Sequence, residues 1–134
     1  ILELEEILLS KINNILYVNK IPVLYTSREE IKFSFSSKRK LDFGLKLAEF
    51  MAILVGKINN KLGYIISKGG ITTQLLLQKG LNFNHVDLKG QILPGLSIVT
   101  SNCDQYNFPV VTFPGNLGNE GTLLESFVLM ESTS

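Results

Sequence analysis

The chain has 134 residues, a hydrophobic fraction of 45%, a charged fraction of 19% and a single cysteine, Cys103. That is enough apolar material for one folded core and too much for a disordered segment. Thirteen basic against twelve acidic residues leave a net charge of +1, without the basic excess that marks a dedicated nucleic-acid binder, and no run approaches the roughly 18–20 apolar residues of a membrane span.

The first element is an amphipathic helix expected over residues 2–18. Leu4, Leu8, Ile12 and Leu16 recur every four residues, and Glu3, Glu5 and Glu6 suit the positive end of the helix dipole. Those acids also occupy the place where a secretion signal is basic. A lone cysteine forms no internal disulfide and fits a reducing, cytoplasmic setting. The chain opens on Ile1 rather than Met and reads as a piece of a longer protein.

Ile21-Pro22-Val23-Leu24-Tyr25-Thr26 is expected to be a strand with proline at its start. Residues 27–42, with the basic triplet Lys38-Arg39-Lys40, read as a polar surface connection. A second helix is expected over residues 43–60, ended by Asn59-Asn60-Lys61-Leu62-Gly63. Tyr64-Ile65-Ile66-Ser67 then reads as a buried strand that stops at Gly69-Gly70, and Gln74-Leu75-Leu76-Leu77-Gln78-Lys79 as a helix ended by Gly80.

Beyond Gly80 the pattern changes to short strands at residues 84–89, 96–101 and 109–113. Gly90-Gln91-Ile92-Leu93-Pro94-Gly95 and the polar residues 102–108 separate them, and a last helix is expected over residues 120–130. The order α-β-α-β-α, then β, then α predicts an α/β fold: a mixed sheet covered by helices on both faces, with antiparallel strands towards one edge.

Two loops have the composition for chemistry. A strand that passes through Gly69-Gly70 into a helix gathers unpaired N–H groups and a helix dipole at one point, which attracts anions. Thr72 or Thr73 stands ready to donate to a phosphate oxygen. The competing reading is a tight corner with Thr72 as N-cap. The second loop, Phe113-Pro114-Gly115-Asn116-Leu117-Gly118-Asn119-Glu120, again joins a strand to a helix; its structural alternative is a turn capped by Asn119. Neither contains a P-loop or Gly-x-Gly-x-x-Gly string. His85, the one histidine, has no acidic neighbour nearer than Asp87, and Cys103 has no second thiol, so surface or packing roles suit both. No spacing singles out a carboxylate dyad, a metal-ligand cluster or a hydrolase triad.

Three segments in order, Ser67-Lys68-Gly69-Gly70-Ile71-Thr72-Thr73, Gly90-Gln91-Ile92-Leu93-Pro94-Gly95 and Pro109-Val110-Val111-Thr112-Phe113-Pro114-Gly115-Asn116-Leu117-Gly118, resemble the four-carbon acid sugar kinases, specifically their C-terminal nucleotide-binding domain. The resemblance runs from about Ile21 to Val128. It implies a two-domain enzyme in which an absent N-terminal domain holds the sugar acid and the catalytic acid/base, and residues 1–134 hold ATP. Carried over by position, Gly69, Gly70, Ile71 and Thr72 look like the phosphate-contacting turn, and Gly115 with Gly118 like the second ATP loop. The resemblance implies a carbohydrate kinase, a transferase that uses ATP and Mg²⁺ to phosphorylate the terminal hydroxyl of erythronate, threonate or a 3-oxo relative. The chain itself supplies no catalytic residue, so weak or undetectable ATP binding and no turnover are expected of it alone, with pairing into a homodimer through an exposed apolar surface. The alternative is a non-catalytic interaction or regulatory module whose glycine loops are only corners.

Overall fold

The computed structural model describes residues 2–26, 37–101 and 109–132. Ile1, residues 27–36 of the expected polar connection, the polar residues 102–108 with Cys103, and the last two residues lie outside them. The chain divides into two compact units, Ile1–Gly44 and Leu45–Ser134.

The first unit holds helix α1, Leu2–Tyr17. Its end is a Schellman cap: Asn19 takes the left-handed conformation (φ 59°), its N–H bonds Leu16 O, and Lys20 N–H bonds Ile15 O. Of the apolar stripe read from the sequence, Ile12 is buried, whereas Leu4 is about half exposed.

Two expectations fail here. Residues 21–26 form no strand; Val23 and Tyr25 are 70% and 79% exposed. Strand composition needs a neighbouring edge to pair with, and these residues have none among those described. Helix α2 runs Ser37–Ile58, six residues earlier than the expected start. Lys38, Arg39 and Lys40 are good helix formers, and their polarity marked a solvated helix face rather than a connection.

The second unit is built on a four-stranded mixed sheet of order β1-β4-β3-β2, formed by β1 (Ile65–Lys68), β2 (Val86–Leu93), β3 (Leu96–Ser101) and β4 (Val110–Phe113). β1 and β4 are parallel, with Ile65 opposite Val110 and Lys68 opposite Phe113. β2–β3 and β3–β4 are antiparallel, so the antiparallel strands do lie towards one edge. Side chains alternate across the sheet. Val99 and Val110 face Leu76, Leu81, Phe83 and, from α2, Val55. Leu96, Val111 and Phe113 face the other way, against Met130 of helix α4, Thr122–Ser132. Helices thus cover both faces, as expected. Leu96, Val110 and Val111 are fully buried, each contributing roughly 1.5–3 kcal/mol.

β2 is longer than predicted. Gly90 is inside the strand rather than in a turn, its φ of 130° sitting at a register shift against β3, and only Pro94-Gly95 makes the hairpin turn. Helix α3, Gly70–Leu75, gives way to a π-helical turn, Leu76–Gly80, that ends at the predicted glycine stop. That turn lies directly on α2: a Cβ added to Gly80 would be 2.5 Å from Ala52 O, and one added to Gly56 would collide with Gly80 O.

At the other end of β1, Tyr64 OH donates to Glu131 Oε1 at 2.6 Å and ties the strand to the last turn of α4. Burial first, then the hydrogen bond and charge of Glu131, push the Tyr64 pKa above its ordinary value of 10.0. The folded state therefore favours the protonated phenol. Its contribution is fully present at neutral pH and is lost as pH climbs above about 10. Tyr64→Phe should lower stability at neutral pH by about 1 kcal/mol and flatten the alkaline limb of the profile. Urea midpoints from about pH 7 to 11 check this; an unchanged alkaline limb would contradict it.

Candidate functional site

The parallel pairing of β1 with β4 decides where the two glycine loops go. Both leave the C-terminal ends of adjacent strands, so they start side by side. Gly69 N–H donates to Phe113 O at 2.8 Å, and a Cβ built on Gly115 would lie 3.7 Å from Gly69 Cα. The corners therefore form one continuous rim at the sheet end where ligands of α/β folds collect.

Gly69 is the N-cap of α3 with φ 106°, a conformation that favours glycine. Its carbonyl accepts from Thr73 N–H at 2.9 Å, the first closed turn of the helix. The N–H groups of Gly70, Ile71 and Thr72, which precede that turn, find no acceptor among the described residues. The sequence alternative of Thr72 as N-cap is corrected: the cap residue is Gly69, and no side chain bonds the cap.

The two threonines separate. Thr73 is buried, with its Oγ1 2.9 Å from Ser67 Oγ and 3.2 Å from Ser67 O, so its hydroxyl serves the strand–helix corner. Thr72 Oγ1 stands beside the turn, 3.6 Å from where a Gly69 Cβ would be. It makes no hydrogen bond among the described residues. Ile71 is 51% exposed at the helix start. A Cβ on Gly70 would meet nothing within 4 Å, so the space over this glycine is open.

The second loop begins with a turn closed by Leu117 N–H to Pro114 O at 3.2 Å. Gly118 has φ 83°, and a Cβ there would come within 2.6 Å of Thr122 Oγ1; this glycine lets the loop close onto α4. Asn119 Oδ1 accepts from Gly121 N–H at 2.9 Å, and Thr122 Oγ1 accepts from Asn119 N–H at 2.9 Å. The helix begins at Thr122 rather than at Glu120.

Two features of this rim were not singled out in the sequence. Gly95 of the β2–β3 turn (φ 83°) abuts Leu117, since a Cβ on it would be 2.7 Å from Leu117 Cδ2. All three segments that carried the resemblance thus meet at one end of the sheet. The other is Lys68, the last residue of β1. Its Nζ donates to Gly115 O at 2.9 Å and lies 4.5 Å from the centre of the Phe113 ring. Position just before Gly69-Gly70 was the available signal, but its reach depends on a strand paired 45 residues later.

His85 is exposed and lies elsewhere, in a shallow depression of about 160 Å³ lined by Gln74, Leu77, Gln78, Phe83, Asn84 and Val86. None of the rim glycines lines it. Among the described residues, no group of three or more His, Cys, Asp or Glu could hold a metal ion. None of the helices there is long and apolar enough to cross a membrane.

No curated protein is significantly similar to the chain. Two crystal structures of a domain of unknown function (DUF1537) from Bordetella bronchiseptica, a domain-swapped dimer with bound citrate, share its fold. One matches at 15% identity with a TM-score of 0.62, over 85% of this chain and 27% of that one. The other, in a different space group, matches at 14% and 0.61, over 88% and 29%. The chain spans less than a third of the length of either. The sequence pattern of the nucleotide-binding C-terminal domain matches residues 3–123, taking in both glycine corners and the hairpin turn packed against the second. The chain belongs to that family of nucleotide-binding domains.

Proposed function

We propose that the nucleotide is ATP and that the chain is the ATP-binding part of a kinase acting on the terminal hydroxyl of a four-carbon sugar acid of the erythronate, threonate or 3-oxo-tetronate type. The observation that carries the nucleotide half is the meeting of the Gly69-Gly70 turn and the Gly115 to Gly118 turn at adjacent parallel strand ends. The residues fit a polyphosphate. Three N–H groups at a helix start have no acceptor among the described residues, an unengaged Thr72 hydroxyl stands beside them, and open space lies over Gly70. In this reading Gly70, Ile71 and Thr72 hold phosphate oxygens through their N–H groups, and the turn from Gly115 to Gly118 closes the other side. Mg²⁺ would neutralise charge on the phosphates, taking oxygen ligands from them and from water.

The sugar-acid half rests on the motif resemblance. The acid and its general base belong in this proposal to a further domain, so this chain binds and orients ATP and does not turn it over. The domain-swapped dimer of the Bordetella bronchiseptica protein supports pairing of two copies. Titration of ATP·Mg²⁺ into the ¹⁵N-labelled chain should shift the amides of residues 69–73 and 115–118 with a Kd of about 1 mM, or roughly −4 kcal/mol. Shifts confined to other amides, or none at all, would refute the reading.

A further inference from the structure

We propose that Lys68 is a third phosphate contact of this site, a cation held between the two glycine turns; the proposal rests on the nucleotide reading above. Lys68 ends β1 on the same sheet face as Phe113, its partner in the parallel register. The side chain crosses to the second loop. There the Gly115 carbonyl takes one of its N–H groups at 2.9 Å, and the Phe113 ring lies under the ammonium at 4.5 Å. An ammonium has three donors. Two remain, and no carboxylate pairs with Lys68 among the described residues.

The arrangement differs from an ordinary surface lysine in its preorganisation. A free lysine loses rotamer freedom when it captures an anion; this one is already pinned by a carbonyl and a ring. Its charge lies on the rim, tied to Gly115 beside the Gly69 turn, and the N–H groups that follow that turn have no acceptor among the described residues. Backbone dipoles there supply direction and Lys68 supplies the full positive charge that a polyphosphate needs. Because Nζ is tied to Gly115 O, Lys68 also fixes the distance between the turns. The contact is with phosphate, so it is blind to the base.

Titration of the ¹⁵N-labelled chain with tripolyphosphate, ADP and adenosine, followed at residues 70–72 and 115–118, tests this. Lys68→Met keeps the stem over Phe113 and removes the charge. It should weaken tripolyphosphate and ADP by the same factor, about 10- to 100-fold, and leave any adenosine shifts unaltered. Lys68→Arg should recover most of the affinity. In the unmutated chain the Lys68 Cε signal, assigned by its loss in the Arg variant, should move as tripolyphosphate is added; this readout does not depend on the Met variant folding. Wild-type binding with Lys68→Met within twofold of it, or a Cε signal that stays still, would overturn the role of Lys68 alone. Absence of any anion shift in the wild-type chain would overturn the nucleotide reading and this proposal together.

Discussion

Gly70→Val should abolish ATP binding, by at least about 100-fold, while the protein stays folded. The two adjacent glycines are needed for different reasons, and the variant separates them. Gly69 has a φ of 106°, and a Cβ there makes only ordinary contacts with Thr72. Its requirement is conformational, and Gly69→Ala should cost about 1–3 kcal/mol of stability. Gly70 is in the first turn of α3 without a positive φ, and its added Cβ meets nothing within 4 Å. Valine fits there as far as the protein is concerned. In the proposed reading, the space it fills is the one a phosphate needs to reach the N–H groups of Gly70, Ile71 and Thr72. Thermal midpoints paired with ATP·Mg²⁺ titrations of both variants check the contrast. A folded Gly70→Val protein that binds ATP as the wild type does would contradict it.

The largest expected loss of stability is at Gly56. Most glycines in helix interiors weaken them by roughly 0.5–1 kcal/mol against alanine, so Gly56→Ala should be mildly stabilising by propensity alone. The structure reverses the sign. A Cβ on Gly56 would run into Gly80 O, Gly80 C and Gly80 Cα, all main-chain atoms of the π-helical turn. Gly80 is held in turn against Ala52 O. Neither partner is a side chain that can swing away, and Leu76 and Leu81 on the same turn are core residues. Overpacking of this kind costs about 3 kcal/mol, at the high end of its usual range. For a domain of this size that lowers the melting temperature by about 10 °C. Calorimetric melting of Gly56→Ala tests it, and a midpoint at or above the wild-type value would show that the helix and turn do not touch through backbone. Lys79 reaches Glu49 at 2.9 Å across the same contact, but both ends are about half exposed. Such a pair adds little, about 0–1 kcal/mol.

The strand–Gly-Gly–helix unit, β3, β4 and the last helix could be read from the sequence because local signals agree there. Apolar β-branched runs stop at glycines, and the helices bury a periodic face. Residues 21–26 misled because Ile21, Val23 and Tyr25 have strand composition without a strand partner, and pairing is a property of the sheet. Residues 37–42 misled in the opposite direction, since a solvated first turn of α2 and a polar loop share one composition. At the two corners, Gly69 and Gly118 were legible because a positive φ leaves a mark on sequence. The division of labour between Thr72 and Thr73 was not, because it turns on which hydroxyl faces Ser67. The same holds for Lys68 and for Leu117 against Gly95: each contact joins residues that only the order β1-β4-β3-β2 brings together.

The central claim is that main chain from two separate corners grips one polyphosphate. A crystal structure of the chain with Mg²⁺ and a non-hydrolysable ATP analogue tests it most directly. The phosphates should lie over Gly70, within hydrogen-bond reach of the N–H groups of Gly70, Ile71 and Thr72, with the turn from Gly115 to Gly118 on their other side. An analogue bound with its phosphates away from both corners, for instance in the depression beside His85, would contradict the account.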